Sequence, residues 1–112
     1  MLALDMSDCL DSEGNLPRGD LRRFKRAVRM AQFIESGALL TTLESREALV
    51  VCGRRRGRGA CRGLMWVTKL NDARIAARCL ACGNHEVEID GWQSTPWAQG
   101  PLPPARLDDL PD

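Results

Sequence analysis

The chain has no tyrosine, a single histidine and two phenylalanines, and aromatic residues make up only 4% of it. So little aromatic mass in 112 residues leaves room for one small domain with tails, not for a large enzyme core. Long apolar runs are also missing. Nothing approaches the roughly 20 residues a spanning helix needs, and the first eight residues carry no basic segment and meet acids too early for a secretory signal. The expectation is a cytoplasmic chain with no membrane contact. With one histidine the catalytic repertoire is thin: there is no G-x-S-x-G, no phosphate loop ending in Gly-Lys-Ser/Thr and no H-E-x-x-H. This excludes the common catalytic arrangements, and the chain reads as a non-enzyme without a small-molecule substrate.

What the chain does have is cysteine. Cys52 and Cys61 form one spaced pair, and Cys79 and Cys82 form a second. A reducing compartment keeps thiols free, so spaced pairs there favour a metal over disulfides. Two residues between Cys79 and Cys82 let both sulfurs turn to one point, and Gly83 lets backbone N–H groups approach them. Two such corners supply the four thiolates of a closed zinc site, which leaves no position for water or substrate and is therefore structural. Seventeen residues separate Cys61 from Cys79, enough for one hairpin out and back. Eight separate Cys52 from Cys61, more than the usual two to four. His85, three residues past Cys82, is the alternative fourth ligand in place of Cys52, although a turn histidine beside the corner is the simpler reading. The Cys79 pair is followed by Gly-Asn-His and a strand pattern, which suits neither a redox pair at a helix start nor haem attachment. Cys9 reads as a bystander.

Charge is segregated along the chain. Residues 1–17 sum to −4, residues 18–78 to +10 and residues 79–112 to −5, giving the net +1. A basic centre between acidic ends fits either a polyanion-facing surface or ends that fold back on the basic part. The basic residues concentrate in Gly53-Arg54-Arg55-Arg56-Gly57-Arg58-Gly59-Ala60 and in Arg62. Arginine forks match phosphate oxygens, so Arg54, Arg55, Arg56, Arg58 and Arg62 are candidate nucleic-acid contacts, to DNA or RNA. The competing reading is that these arginines offset the −2 charge of a four-thiolate zinc.

The local pattern divides the chain into four parts. Residues 1–17 read as a disordered acidic tail. Residues 18–47 form a helical segment: Asp20 is the N-cap, Leu21, Phe24, Val28, Ala31 and Ile34 make an apolar stripe, and Gly37 is the C-cap. Residues 48–100 form the metal-bearing domain. Residues 101–112 form a proline-rich disordered tail. Ala38–Leu43 and Ala48–Val51 both suit strands, with a helix over 42–49 as the competitor. Gly63–Lys69 and Arg74–Arg78 read as a hairpin around Asn71-Asp72, and residues 86–92 as a strand with Val87 and Ile89 inward and Glu86, Glu88 and Asp90 outward. Trp66, Val87, Ile89 and Trp92 are the expected core. The fold class is a small α+β protein: a zinc-ribbon-type antiparallel sheet with one N-terminal amphipathic helix. That helix, or the proline-rich tail, is the alternative functional element, as the docking face of a protein–protein adaptor.

Cys52 through Cys61, then Arg62-Gly63-Leu64, Cys79-Leu80-Ala81-Cys82-Gly83 and Gly91-Trp92-Gln93-Ser94-Thr95-Pro96-Trp97 together resemble a group of small uncharacterised bacterial zinc-ribbon-like proteins. These share an arginine-rich eight-residue loop between the first cysteines and a G-W-x-x-T-x-W ending. The resemblance covers under half of the chain. It implies that Cys52 belongs to the metal set and that Thr95 and Trp97 pack back on the ribbon. Where the group carries prolines, this chain has Gly57 and Arg62, which implies a looser loop. The resemblance brings a fold and no activity.

Overall fold

The computed structural model describes residues 2–57 and 59–100. In chain order the elements are β1 (Leu2–Asp5), a 3-10 turn (Met6–Cys9), α1 (Leu21–Gly37), β2 (Ser45–Val51), β3 (Arg55–Arg56), β4 (Gly59–Ala60), β5 (Leu64–Lys69), β6 (Ile75–Cys79), β7 (His85–Asp90) and a second 3-10 turn (Pro96–Gln99). Five strands form one sheet in the order β1-β7-β6-β5-β2, and β3 and β4 form a separate two-stranded hairpin. The class is α+β. The sheet is mixed, because β1 runs parallel to β7 while the other pairs are antiparallel. An all-antiparallel sheet was the expectation, and the extra strand comes from the segment read as a disordered tail. Met6, immediately after β1, is fully buried. Cys9 is also in the core and is no bystander to the packing.

Helix α1 lies on one face of the sheet. Asp20 caps it as expected, accepting from the amides of Arg22 and Arg23 and satisfying two orphan donors of the first turn. The buried face is Ala27, Met30, Ala31, Phe33, Ile34 and Gly37. This is rotated from the expected stripe: Leu21 is 66% exposed, and Phe24 and Val28 are only half-buried. Gly37 is still helical and does not terminate the helix with a left-handed turn. A Cβ there would lie 3.0 Å from Ile75 Cγ2, so the small residue allows helix and sheet to approach.

Residues 38–44 form turns, not a strand, and Ser45–Glu47 belong to the sheet, not to the helical segment. No helix forms over 42–49. In β5 the burial phase is opposite to the expectation: Met65 and Val67 are fully buried, whereas Trp66 lies on the half-buried face. Val87, Ile89 and Trp92 are core residues as expected, and the Trp92 Nε1–H donates to the carbonyl of Ala73 at 2.8 Å. Glu88 was expected outward but is only 9% exposed. Its strand is interior, between β1 and β6, and Arg74 pairs with its carboxylate at 2.8 Å. Thr95 is buried and donates to the Trp92 carbonyl, while Trp97 packs against the core. The proline-rich tail 101–112 lies outside the described residues. Among the described residues no helix is long and apolar enough to cross a membrane.

Candidate metal centre

Sheet order brings the two cysteine pairs together. β5 and β6 are antiparallel neighbours with Met65 opposite Cys79. The start of β5 therefore lies beside the end of β6, and the β2–β5 and β6–β7 connections emerge at the same end of the sheet. In the first connection, the Cys52 amide donates to the Gly63 carbonyl, Gly53 to Cys61 and Cys61 to Arg54. These bonds carry the ladder out into the β3–β4 hairpin. In the second, Cys79 donates to the Asn84 carbonyl and Gly83 returns a bond to the Cys79 carbonyl. Gly53 and Gly83 take φ of +69° and +76°, left-handed values that favour glycine and turn the chain sharply beside a sulfur.

The four sulfurs lie within 4.8 Å of one another. Cys52 Sγ is 3.7 Å from Cys82 Sγ, and Cys61 Sγ is 3.7 Å from Cys79 Sγ. A disulfide would require about 2.05 Å. A tetrahedron of thiolates, each about 2.3 Å from a central ion, has edges of about 3.8 Å. The observed spacing is that of a metal-sized cage, and the four cysteines can hold a metal ion.

Backbone amides face the sulfurs. Gly63 N–H donates to Cys61 Sγ at 3.4 Å. The Arg54 amide faces Cys52, and the Cys82 and Ala81 amides face Cys79. Amide donors two or three residues past a cysteine stabilise negative charge on its sulfur. At Cys79, the Cys82 amide outweighs burial, and the thiol falls to about 7. At Cys52, burial dominates over the Arg54 amide, and the neighbouring sulfurs add to it, raising the thiol to about 11. His85 is not part of the cage. It opens β7, with Nε2 3.6 Å from Glu88.

Two residues that sequence reasoning did not single out support this centre. Gly63 sits between the corners: a Cβ there would lie 2.6 Å from Ala81 Cβ and 2.9 Å from Cys79 Sγ. Its only sequence signal is a glycine two residues past a cysteine. Arg29 of α1 reaches the first corner. Its guanidinium donates to the carbonyls of Val51 and Cys52 at 2.9 and 3.1 Å and forks onto Glu86 with two bonds of 2.8 Å. Glu86 is 57 positions away, and nothing local in the sequence marks the pair.

The arginine segment is a hairpin, not an open loop: Arg55 pairs with Ala60 and Arg56 with Gly59. Arg54, Arg55 and Arg62 are exposed, with Arg54 Nη1 3.5 Å from Asn84 Oδ1. Arg58 lies outside the described residues. Comparison with known protein families, with curated proteins and with solved structures finds no match.

Proposed function

We propose that this is a zinc-stapled nucleic-acid-binding accessory or regulatory protein with no catalytic activity of its own. The observation that carries the metal assignment is the pair of 3.7 Å sulfur edges closed by backbone amides. Four thiolates in a tetrahedron suit zinc, with iron as the chemical competitor. Zinc would be held by Cys52, Cys61, Cys79 and Cys82 and would fix the ends of four strands, in the manner of the zinc ribbons the sequence resembles. A full thiolate set offers no open coordination position, which supports a structural rather than catalytic metal.

The nucleic-acid reading is supported by the β3–β4 hairpin, which grows out of the metal corner and carries exposed Arg54 and Arg55, with Arg62 at its base. Arg56 and Arg58 belong to the same basic run. A basic hairpin rooted in the cysteine cage presents arginine forks to phosphates. The adaptor reading, in which α1 captures a protein, is less well supported because the helix's apolar face is already packed on the sheet.

Elemental analysis of the purified protein tests the metal. About one zinc per chain, lost in Cys79→Ser, is the expected result; iron or no metal refutes the assignment. Titration with labelled nucleic acid tests the hairpin: binding should weaken steeply with salt and disappear in the Arg54→Ala/Arg55→Ala/Arg62→Ala variant while zinc is retained.

A further inference from the structure

A second feature lies on the helix side of the same corner. Between α1 and the β1/β7 edge is an open cleft of about 380 Å³. Its floor is apolar, made by Leu2, Met30 and Val87, and its rim is basic, with Lys25, Arg26 and Arg29. The one acid among the described lining residues, Glu86, is held by the Arg29 fork, which leaves Lys25 and Arg26 as the net charge of that rim. Arg22, Lys25, Arg26 and Arg29 recur at helical spacing on one side of α1. Arg29 in turn touches the backbone of Cys52, the residue from which the arginine hairpin springs. The rim of the cleft and the base of the hairpin therefore meet at Arg29, whose own charge is held by Glu86.

We infer that the cleft rim and the hairpin form one track that takes a single strand of nucleic acid, with one unstacked base in the Leu2/Met30/Val87 cleft and the flanking phosphates on Lys25, Arg26, Arg54 and Arg55. The inference rests on the nucleic-acid reading above and sharpens it to a strand type. In a duplex the bases are stacked and paired inside, and only phosphates and groove edges meet a protein. An apolar-floored cleft within a phosphate track has no use for a duplex but fits the alternation of base face and phosphate along a single strand. The guanidinium of Arg26 at the rim offers a planar surface on which a base can lie. The cleft is open to solvent beside Leu2, which is 46% exposed, so a base can enter without rearrangement of the core.

The test is fluorescence anisotropy of the full, metal-loaded chain with a labelled 12-nucleotide oligothymidine and with a 12-base-pair duplex, each over a range of salt. Single strand bound at least tenfold more tightly than duplex is the expected result. Lys25→Ala/Arg26→Ala should weaken single-strand binding and reduce its salt slope by about 1.4, two phosphates' worth. Leu2→Glu, a change at an exposed edge position, should lower single-strand affinity at least fivefold and leave duplex binding unchanged. Zinc content of each variant serves as the folding control. Equal affinity for both forms, with the cleft variants silent and the hairpin variant inactive, overturns this inference and leaves the hairpin reading standing. No binding of either nucleic acid overturns both. Saturable uptake of a fluorescent fatty acid by the cleft, abolished by Leu2→Glu, with no single-strand preference, overturns the inference in favour of an anionic amphiphile.

Discussion

Gly63→Ala should damage the four-cysteine cage without replacing a cysteine. The added methyl carbon would lie 2.6 Å from Ala81 Cβ and 2.9 Å from Cys79 Sγ, where carbon atoms in ordinary contact sit about 3.5 to 4.0 Å apart. Relief requires the two corners to separate by about 1 Å, whereas metal–ligand distances tolerate only about 0.2 Å. Either the cage opens or the strands carrying it shift, and overpacking of this kind costs about 1 to 3 kcal/mol. At 1.4 kcal/mol per decade, affinity for zinc, the metal proposed above, should fall about 5- to 150-fold. Competition for zinc with a chromophoric chelator measures this directly. Gly59→Ala is the control: a Cβ there meets nothing within 4 Å, and its φ lies outside the left-handed region. Gly63→Ala retaining wild-type zinc affinity within twofold would refute the steric argument, and so would an equal loss in Gly59→Ala.

Three further outcomes follow from other parts of the molecule. Arg29→Ala removes a fork on Glu86 and two carbonyl contacts; with hydrogen bonds to charged groups worth about 1.5 to 3 kcal/mol, stability in urea should drop by about 2 to 3 kcal/mol. Arg29→Lys should recover only part of this, because an ammonium cannot fork; full recovery would show that charge alone matters. Ala73 holds φ at +71° in the β5–β6 turn, so Ala73→Gly should raise the thermal midpoint, with a gain of about 0.5 to 1 kcal/mol; a loss would mean that the Trp92 bond to its carbonyl depends on the alanine. Burial raises the Cys9 thiol above its ordinary range, which keeps it protonated at neutral pH. Alkylation followed by mass spectrometry should find Cys9 unmodified in the native, metal-loaded protein and modified once denaturant is added. Rapid native modification would contradict its place in the core.

The parts of this fold that were legible are those with a local physical cause. Asp20 caps a helix because a carboxylate accepts the amides that follow it. The hairpin around Asn71-Asp72 follows from turn chemistry between two alternating runs. Cys79 and Cys82 were readable as a metal corner from their spacing, whereas Cys52, eight residues from Cys61, had His85 as a rival until the geometry grouped it with the other three. Other features depend on partners far away in sequence. Period two marks a strand but treats its two faces alike, so Trp66 was placed in the core on its size, whereas the position of α1 buries Met65 and Val67 instead. Glu88 looked like a solvent-facing acid because its pairing with Arg74 and the strand that covers its flank both lie outside the local window. The strand Leu2–Asp5 is four residues long among acids, too short to announce itself, and its partner β7 stands at the other end of the domain. The helix's burial face was read correctly at Ala31 and Ile34 but set by Leu21 and Phe24 at its start, so Ala27, Met30 and Phe33, which face the sheet, were missed.

The pairing of Leu2 with Val87 has a consequence for the order in which the molecule assembles. At roughly 5 to 20 residues per second, the ribosome needs about 4 to 17 seconds to make the chain between these two residues. Throughout that interval β1 exists without its hydrogen-bonding partner, while the hairpins β2–β5 and β5–β6 close over short loops and face a smaller entropic barrier. Strand β1, made well before its neighbour in the sheet, is therefore among the last of the described strands to be placed.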